Sequence, residues 1–174
     1  IGILFAILSF FLFASTDVAQ KYATVYHSVF QIMLFRYLFL LILALFESKR
    51  KKNSQVWKTN NLKMQLLRSL TSIGETAFFV TSFRYLSLAD VHSVAALAPI
   101  IVVALSIIFL KEYVDSKIWF AVFFGFIGVI IILRPGFDVF NIKSLLPLGA
   151  AFFFGLYQIL TKKVSETDSD ETSL

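Results

Sequence analysis

The sequence predicts an all-α, polytopic integral-membrane helical bundle. Six long apolar stretches, at 1–22, 29–46, 66–86, 91–110, 119–133 and 145–160, fill most of the chain. A helix needs about 20 mainly apolar residues to cross the hydrocarbon layer. Apolar residues make up 58% of the chain, against roughly 45–50% in a soluble domain. The apolar runs are also unbroken, as at 38–45 and 100–105. A membrane β-barrel would instead alternate apolar and polar residues with period two. Helices and closed barrels are the structures that satisfy every backbone group in lipid, so the stretches are read as helices.

The first stretch lacks a charged n-region and an A-x-A-like cleavage site, and it carries Asp17 and Lys21. It therefore reads as a span and not as a signal peptide. No initiating Met opens the chain, and both ends read as cut. A turn at 24–28 leads to the second stretch, and the polar linker 47–63 follows it. The third and fourth stretches are separated only by Ser87-Leu88-Ala89-Asp90, which predicts a tight hairpin. Residues 111–117 join the fourth stretch to the fifth. Arg134-Pro135-Gly136 stops the fifth, because Pro followed by Gly does not continue a helix. Residues 137–144 lead into the sixth, where Pro147 suits a first helical turn.

Charge gives the bundle an orientation. The linker after the second stretch holds Lys49, Arg50, Lys51, Lys52, Lys58 and Lys63, and loops rich in Lys and Arg stay in the cytoplasm. Alternation then adds Lys111, Lys117, Lys162 and Lys163 to the inside, for ten. It leaves four outside: Lys21, Arg84, Arg134 and Lys143. The N-terminus is expected in the cytoplasm. The net charge of +5 thus orients the chain and does not predict nucleic-acid binding.

The sixth stretch resembles the first. A shift of 142 places Leu4 on Leu146, Phe10-Phe11 on Phe152-Phe153 and Lys21 on Lys163. Five helices form an odd unit, so a second copy would enter the membrane from the opposite side, as in inverted-repeat transporters. The expected organisation is a five-helix repeat at 1–136, followed at 137–174 by a linker and the first helix of a truncated, inverted second repeat.

Polar groups inside the stretches are the exceptions that lipid makes costly. Arg36, between Phe35 and Tyr37, costs about 2.5–3.5 kcal/mol on insertion scales unless it faces the bundle interior. It is either an anchor on backbone carbonyls or a cavity-lining cation for an anionic group. Asp17 and Lys21 stand four apart on one helix face. They either neutralise each other or contribute to a site, with Thr16 and Gln20 beside them. Arg68, Ser72, Glu75 and Ser82 form a polar face on the third stretch, with Thr71 and Thr76 alongside. This face is either a helix–helix contact, including a Glu75–Arg36 pair, or a proton or cation relay.

Pro99 removes the helical donor to the carbonyl of residue 95 and predicts a kink. Ala95, Ala96, Ala98, Gly125 and Gly128 are small and allow close packing. His27 and His92 read as interfacial residues rather than metal ligands. Cys is absent, and no catalytic cluster, Gly-rich phosphate loop or nucleophile elbow is present. An enzyme, a metal site and a bound cofactor are accordingly not expected.

The run from Arg68 to Gly136 resembles the EamA domain of the drug/metabolite transporter superfamily. The matching pieces are Arg68-Ser-Leu, Thr81-Ser-Phe-Arg-Tyr-Leu-Ser-Leu-Ala-Asp90, Ala98-Pro99-Ile, Leu110-Lys-Glu112, Gly125-Phe-Ile-Gly128-Val and Arg134-Pro-Gly136. Phe35-Arg36 extends the likeness over nearly the whole chain. The resemblance implies ten helices in two inverted repeats, both termini in the cytoplasm, and a central cavity shared by the halves. Asp17-Val18, Lys21-Tyr22 and Thr161-Lys162-Lys163 are similar to S-adenosylmethionine uptake carriers, and amino-acid exporters share much of the pattern.

The expected function is secondary transport of a small polar metabolite across the bacterial inner membrane by alternating access. Asp17, Arg36, Glu75 and Tyr85 are expected to line the cavity. Pro99, Glu112, Gly125 and Gly128 are expected in structural or gating roles. The expected partners are the substrate and the bilayer, with a homodimer also allowed. A non-transporting scaffold, an exporter and a membrane enzyme are the competing readings.

Overall fold

The computed structural model describes residues 2–51, 59, 61–111, 113–133 and 142–165, and these contain helices and no strands. The order is α1 (Gly2–Tyr26), α2 (Val29–Lys51), α3 (Leu62–Tyr85), α4 (Leu88–Ala95), α5 (Ala98–Leu105), α6 (Ser116–Leu133) and α7 (Leu145–Ser165). Four helical stretches, 2–26, 29–46, 88–110 and 142–165, are long and apolar enough to cross a membrane. The chain is a multi-pass, all-α membrane bundle.

Local chemistry sets the boundaries. Asn61 caps α3 by accepting from the Met64 N–H at 3.2 Å, which satisfies a donor that helix geometry leaves free. The hairpin after α3 is tighter than expected. Leu86 and Ser87 alone separate the helices, because Ser87 already caps α4: its Oγ accepts from the Asp90 N–H at 3.1 Å.

The fourth apolar stretch is interrupted before Pro99. The Leu97 N–H reaches back only to the Val94 carbonyl, at 3.0 Å, and α5 starts anew with proline in its first turn. The stretch then widens into a π-helical turn, Ser106–Leu110, and ends at Lys111 in the left-handed region, φ 52°. The stop expected at Arg134-Pro135-Gly136 lies outside the described residues.

The tightest seam joins α3 to α7, and four residues build it. A Cβ at Gly74 would lie 3.0 Å from the Phe153 ring, and one at Gly149 would lie 2.9 Å from the Phe78 ring. Each helix therefore offers a glycine as a hole and, four residues on, a phenylalanine as a knob. The two rings stack at 5.5 Å. The pairs 74/153 and 78/149 have the same sum, so α3 and α7 run antiparallel in a fixed register. Gly155 makes a second close approach, with Leu105 and Ile101 of α5 against it. In contrast, a Cβ at Gly125 or Gly128 meets no described atom within 4 Å. The close packing expected at those two glycines is not found among the described residues. It falls instead on Gly74, Gly149 and Gly155.

On the other side of α3, α1 runs parallel to it. Residue 21 lies level with 83–86, while Thr16 and Asp17 share a cleft with Glu75 and Phe79. Thus α1 and α7 are antiparallel to each other and flank α3. The fully buried centre is small and includes Val80, Phe83 and Val91. Much of α1 and α2 is exposed, with Phe10 at 75% and Phe30 at 74%.

Overfilling the α3–α7 holes should be costly. Gly149→Val is expected to destabilise the full-length protein by about 1–3 kcal/mol, read as a fall in thermal midpoint in detergent. An unchanged midpoint would show that the ring of Phe78 has room to move aside.

Candidate functional site

A cleft of about 450 Å³ opens between α1, α2 and α3. One face of α1 supplies Ser9, Leu12, Phe13, Thr16, Asp17 and Gln20; α2 adds Arg36, and α3 adds Glu75 and Phe79. The α1 residues recur at three or four, which places them along a single helical stripe. The cleft is lined mainly by apolar surface, and it holds two carboxylates and one guanidinium.

Arg36 and Glu75 share this cleft, and no ion pair within 4 Å joins them among the described residues. Glu75 is tied instead to the helix-packing network. The Tyr37 hydroxyl donates to Thr76 Oγ1 at 3.2 Å, with the Ser72 carbonyl 3.4 Å away. Thr76 in turn donates to Glu75 Oε2 at 3.3 Å. Arg36 finds no hydrogen-bonding partner among the described residues. Gln20 Oε1 is buried there without a donor, a condition that normally costs about 1–3 kcal/mol.

Asp17 and Lys21 do not neutralise each other. Asp17 Oδ2 lies 3.4 Å from Nε2 of His92 on α4. The Lys21 ammonium turns the other way and donates to the carbonyls of Phe83, at 2.5 Å, and Leu86, at 2.8 Å. Those carbonyls close the C-terminal end of α3, where the helix dipole is negative and acceptors are free. Sharing a helix face made a local pair look sufficient. The neighbouring elements offered each charge a better partner. His92 also packs edge-on against Phe79, with ring centroids 5.8 Å apart.

The polar face of α3 is divided among several neighbours. Arg68 is buried and sets its guanidinium over the Tyr157 ring of α7, 5.7 Å from the centroid. Ser82 is fully buried and donates to the Phe78 carbonyl. Glu75 is the member that reaches the cleft. Tyr85 is half exposed, lies outside the cleft, and has Lys143 over its ring at 5.5 Å. The structure therefore brings Asp17, Arg36 and Glu75 together and leaves Tyr85 apart. Glu112 lies outside the described residues. Pro99 stands at the helix interruption, away from the cleft lining.

Sequence reasoning missed Ser9, Phe13, Phe79 and the Asp17–His92 contact. Stepping back from Gln20 by helical spacing would have found Ser9 and Phe13. Among the described residues, no group of three or more His, Asp or Glu is placed to hold a metal ion.

Fold and cleft together define a multi-pass helical membrane protein with a charge-bearing recess between its helices. Residues 1–134 match the model of the EamA-like transporter family. The chain belongs to that family, within the drug/metabolite transporter superfamily. It is similar to an S-adenosylmethionine uptake transporter of Rickettsia bellii, at 32% identity over 94% of this chain and 56% of the relative. It is also similar to two riboflavin transporters. That of Vibrio cholerae is 49% identical over 37% of this chain and 22% of its own. That of Brucella anthropi is 24% identical over 86% of this chain and 53% of its own. The chain spans about half the length of the relatives it matches most fully. No solved structure matches it significantly.

The contact between Lys21 and α3 should be a strong tie, since hydrogen bonds to a charged group are worth about 1.5–3 kcal/mol. Lys21→Met is expected to lower the thermal midpoint of the full-length protein, while Lys63→Met, on an exposed site, leaves it in place. Equal midpoints would mean that the two carbonyls are as well served by water.

Proposed function

We propose that the full-length protein is a secondary transporter for a small polar metabolite, and that this cleft is one half of its substrate cavity. The observation that supports this most is Arg36, a guanidinium on a membrane-spanning helix that lines a recess and makes no hydrogen bond among the described residues, with the Glu75 carboxylate as its electrostatic neighbour. Such a charge is costly in lipid. It is best accounted for by an anionic group that comes and goes. A carboxylate or phosphate on the substrate would take that place.

Glu75 then balances the charge. Its link through Thr76 to Tyr37 ties the cleft to the packing of α2 on α3. Asp17, held by His92, lies on the same wall. The remaining wall would come from the second repeat, entering in the opposite sense. Gly125, Gly128 and Glu112 are assigned to packing and to the end of the fourth span in that assembly, and Pro99 to bending of that span. The proposed location is the cytoplasmic membrane, and the charge bias supports an N-terminus on the inside. The family and the names of the relatives support transport rather than catalysis. S-adenosylmethionine and riboflavin are the first solutes to try, because those are the names that the relatives carry.

A thermal-shift screen of the full-length protein against polar metabolites, followed by uptake into membrane vesicles, tests the reading. Arg36→Ala should weaken apparent affinity by about 10–100-fold, the equivalent of one lost charge-assisted hydrogen bond. Transport at normal levels with Arg36→Ala, in protein of normal abundance, would remove Arg36 from the site. Tyr85→Phe should leave affinity within about twofold, given that a 1.4 kcal/mol change is already tenfold. A larger loss would return Tyr85 to the cavity.

A further inference from the structure

We propose that Tyr37 and Thr76 are positioning residues, which hold the Glu75 carboxylate off the Arg36 guanidinium and so keep the cleft open between its opposite charges. The role deepens the transport reading and rests on it; the electrostatic coupling that tests it does not.

Thr76 departs from other hydroxyls of the bundle. A Ser or Thr inside a helix often donates back to the carbonyl four residues earlier. Thr16, Thr81, Ser82 and Ser93 all do so, to Leu12, Ala77, Phe78 and Ala89. For Thr76 that carbonyl belongs to Ser72, and the Tyr37 hydroxyl of α2 reaches it instead, at 3.4 Å. The same hydroxyl donates to Thr76 Oγ1 at 3.2 Å. Tyr37 thus occupies the acceptor that Thr76 would use, and also one lone pair of Thr76 itself. The Thr76 proton turns to Glu75 Oε2, 3.3 Å away. Thr76 is 2% exposed, so water does not compete for that proton.

Arg36 and Glu75 line one cleft and are electrostatic neighbours. Opposite charges in a medium of low dielectric attract strongly, yet no ion pair within 4 Å joins these two among the described residues. Each carboxylate of the cleft is held by a group other than Arg36. His92 of α4 meets Asp17 at 3.4 Å, and Thr76 holds Glu75. Neither holder lines the cleft. A closed Arg36–Glu75 pair would neutralise the cation on which an anionic solute group depends. Two uncharged hydroxyls prevent that closure without competing for the solute.

The test is a double-mutant cycle on thermal midpoints of the full-length protein in detergent, with Arg36→Met and Glu75→Gln as the pair. Their coupling is expected to be small in the wild-type background. With Thr76→Val, Glu75 is released onto Arg36, and the coupling should grow by about 2–4 °C. Tyr37→Phe should act in the same way although Thr76 is intact, because the Ser72 carbonyl then recaptures the Thr76 proton. Thr76→Ser keeps the hydroxyl and should keep the wild-type coupling. Lost packing alone would lower all members of a cycle together and leave the coupling unchanged. Equal coupling in the wild-type, Thr76→Val and Tyr37→Phe backgrounds overturns the proposal. If Thr76→Val does not accumulate, Tyr37→Phe decides. Where S-adenosylmethionine or riboflavin raises the wild-type midpoint, Thr76→Val should weaken its apparent affinity by about tenfold, and Thr76→Ser should not. Unchanged affinity with Thr76→Val also overturns the positioning role. No shift of the wild-type midpoint by either solute counts against the transport reading, and the cycle alone then decides whether the hydroxyls hold Glu75.

Discussion

In hydrocarbon no solvent competes for a polar group, and this constraint places α3 at the centre of the bundle. It carries Arg68, Glu75 and Arg84 among its apolar residues. It therefore takes neighbours on several sides: α7 along one seam, α1 and α2 across the cleft, and α4 through the hairpin. The reciprocal exchange of Gly74 and Phe78 with Gly149 and Phe153 gives one seam. It lets two backbones approach where no hydrophobic force between helices is available. The other side is held by hydrogen bonds, through Tyr37 and Lys21. The cleft lies on the hydrogen-bonded side, between α1, α2 and α3.

The apolar pattern made the helices legible, and the polar exceptions marked most of the cleft. Helix existence and order followed from run length alone. Asp17, Gln20, Arg36 and Glu75 were visible because charge and amide groups are rare in such runs. Partner choice was not visible. Asp17 and Lys21 share a helix face, yet each is matched by an element far along the chain, His92 in one case and the end of α3 in the other. Glycines were also misleading: Gly125 and Gly128 look like a packing motif, while the tight contacts fall on Gly74, Gly149 and Gly155. A small residue permits close approach, but the facing side chain decides whether it happens. Tyr85 shows the same limit, since a family-like sequence run says nothing of which way its ring turns.

The two ties at the α3–α4 turn also differ in kind. Lys21 bonds to backbone carbonyls and so holds α1 to helix ends that side-chain substitutions leave intact. Asp17 meets an imidazole, so that tie depends on two side chains and on their charge. The wall of the cleft nearest the turn is thus anchored firmly at one point and adjustably at the other. Arg36, on α2, has neither kind of anchor among the described residues.

The polarity of α3 bears on how the protein is made. On insertion scales each charge near the centre of a helix costs about 2.5–3.5 kcal/mol, so α3 is a poor passenger for the translocon on its own. Its partner α7 is available only after residues 145–165 have been synthesised. Until then the α4–α5 stretch, with its long apolar run, is the natural escort that draws α3 into the bilayer through a two-residue turn. The shortness of that turn, set by the Ser87 cap, makes the pair a single insertion unit.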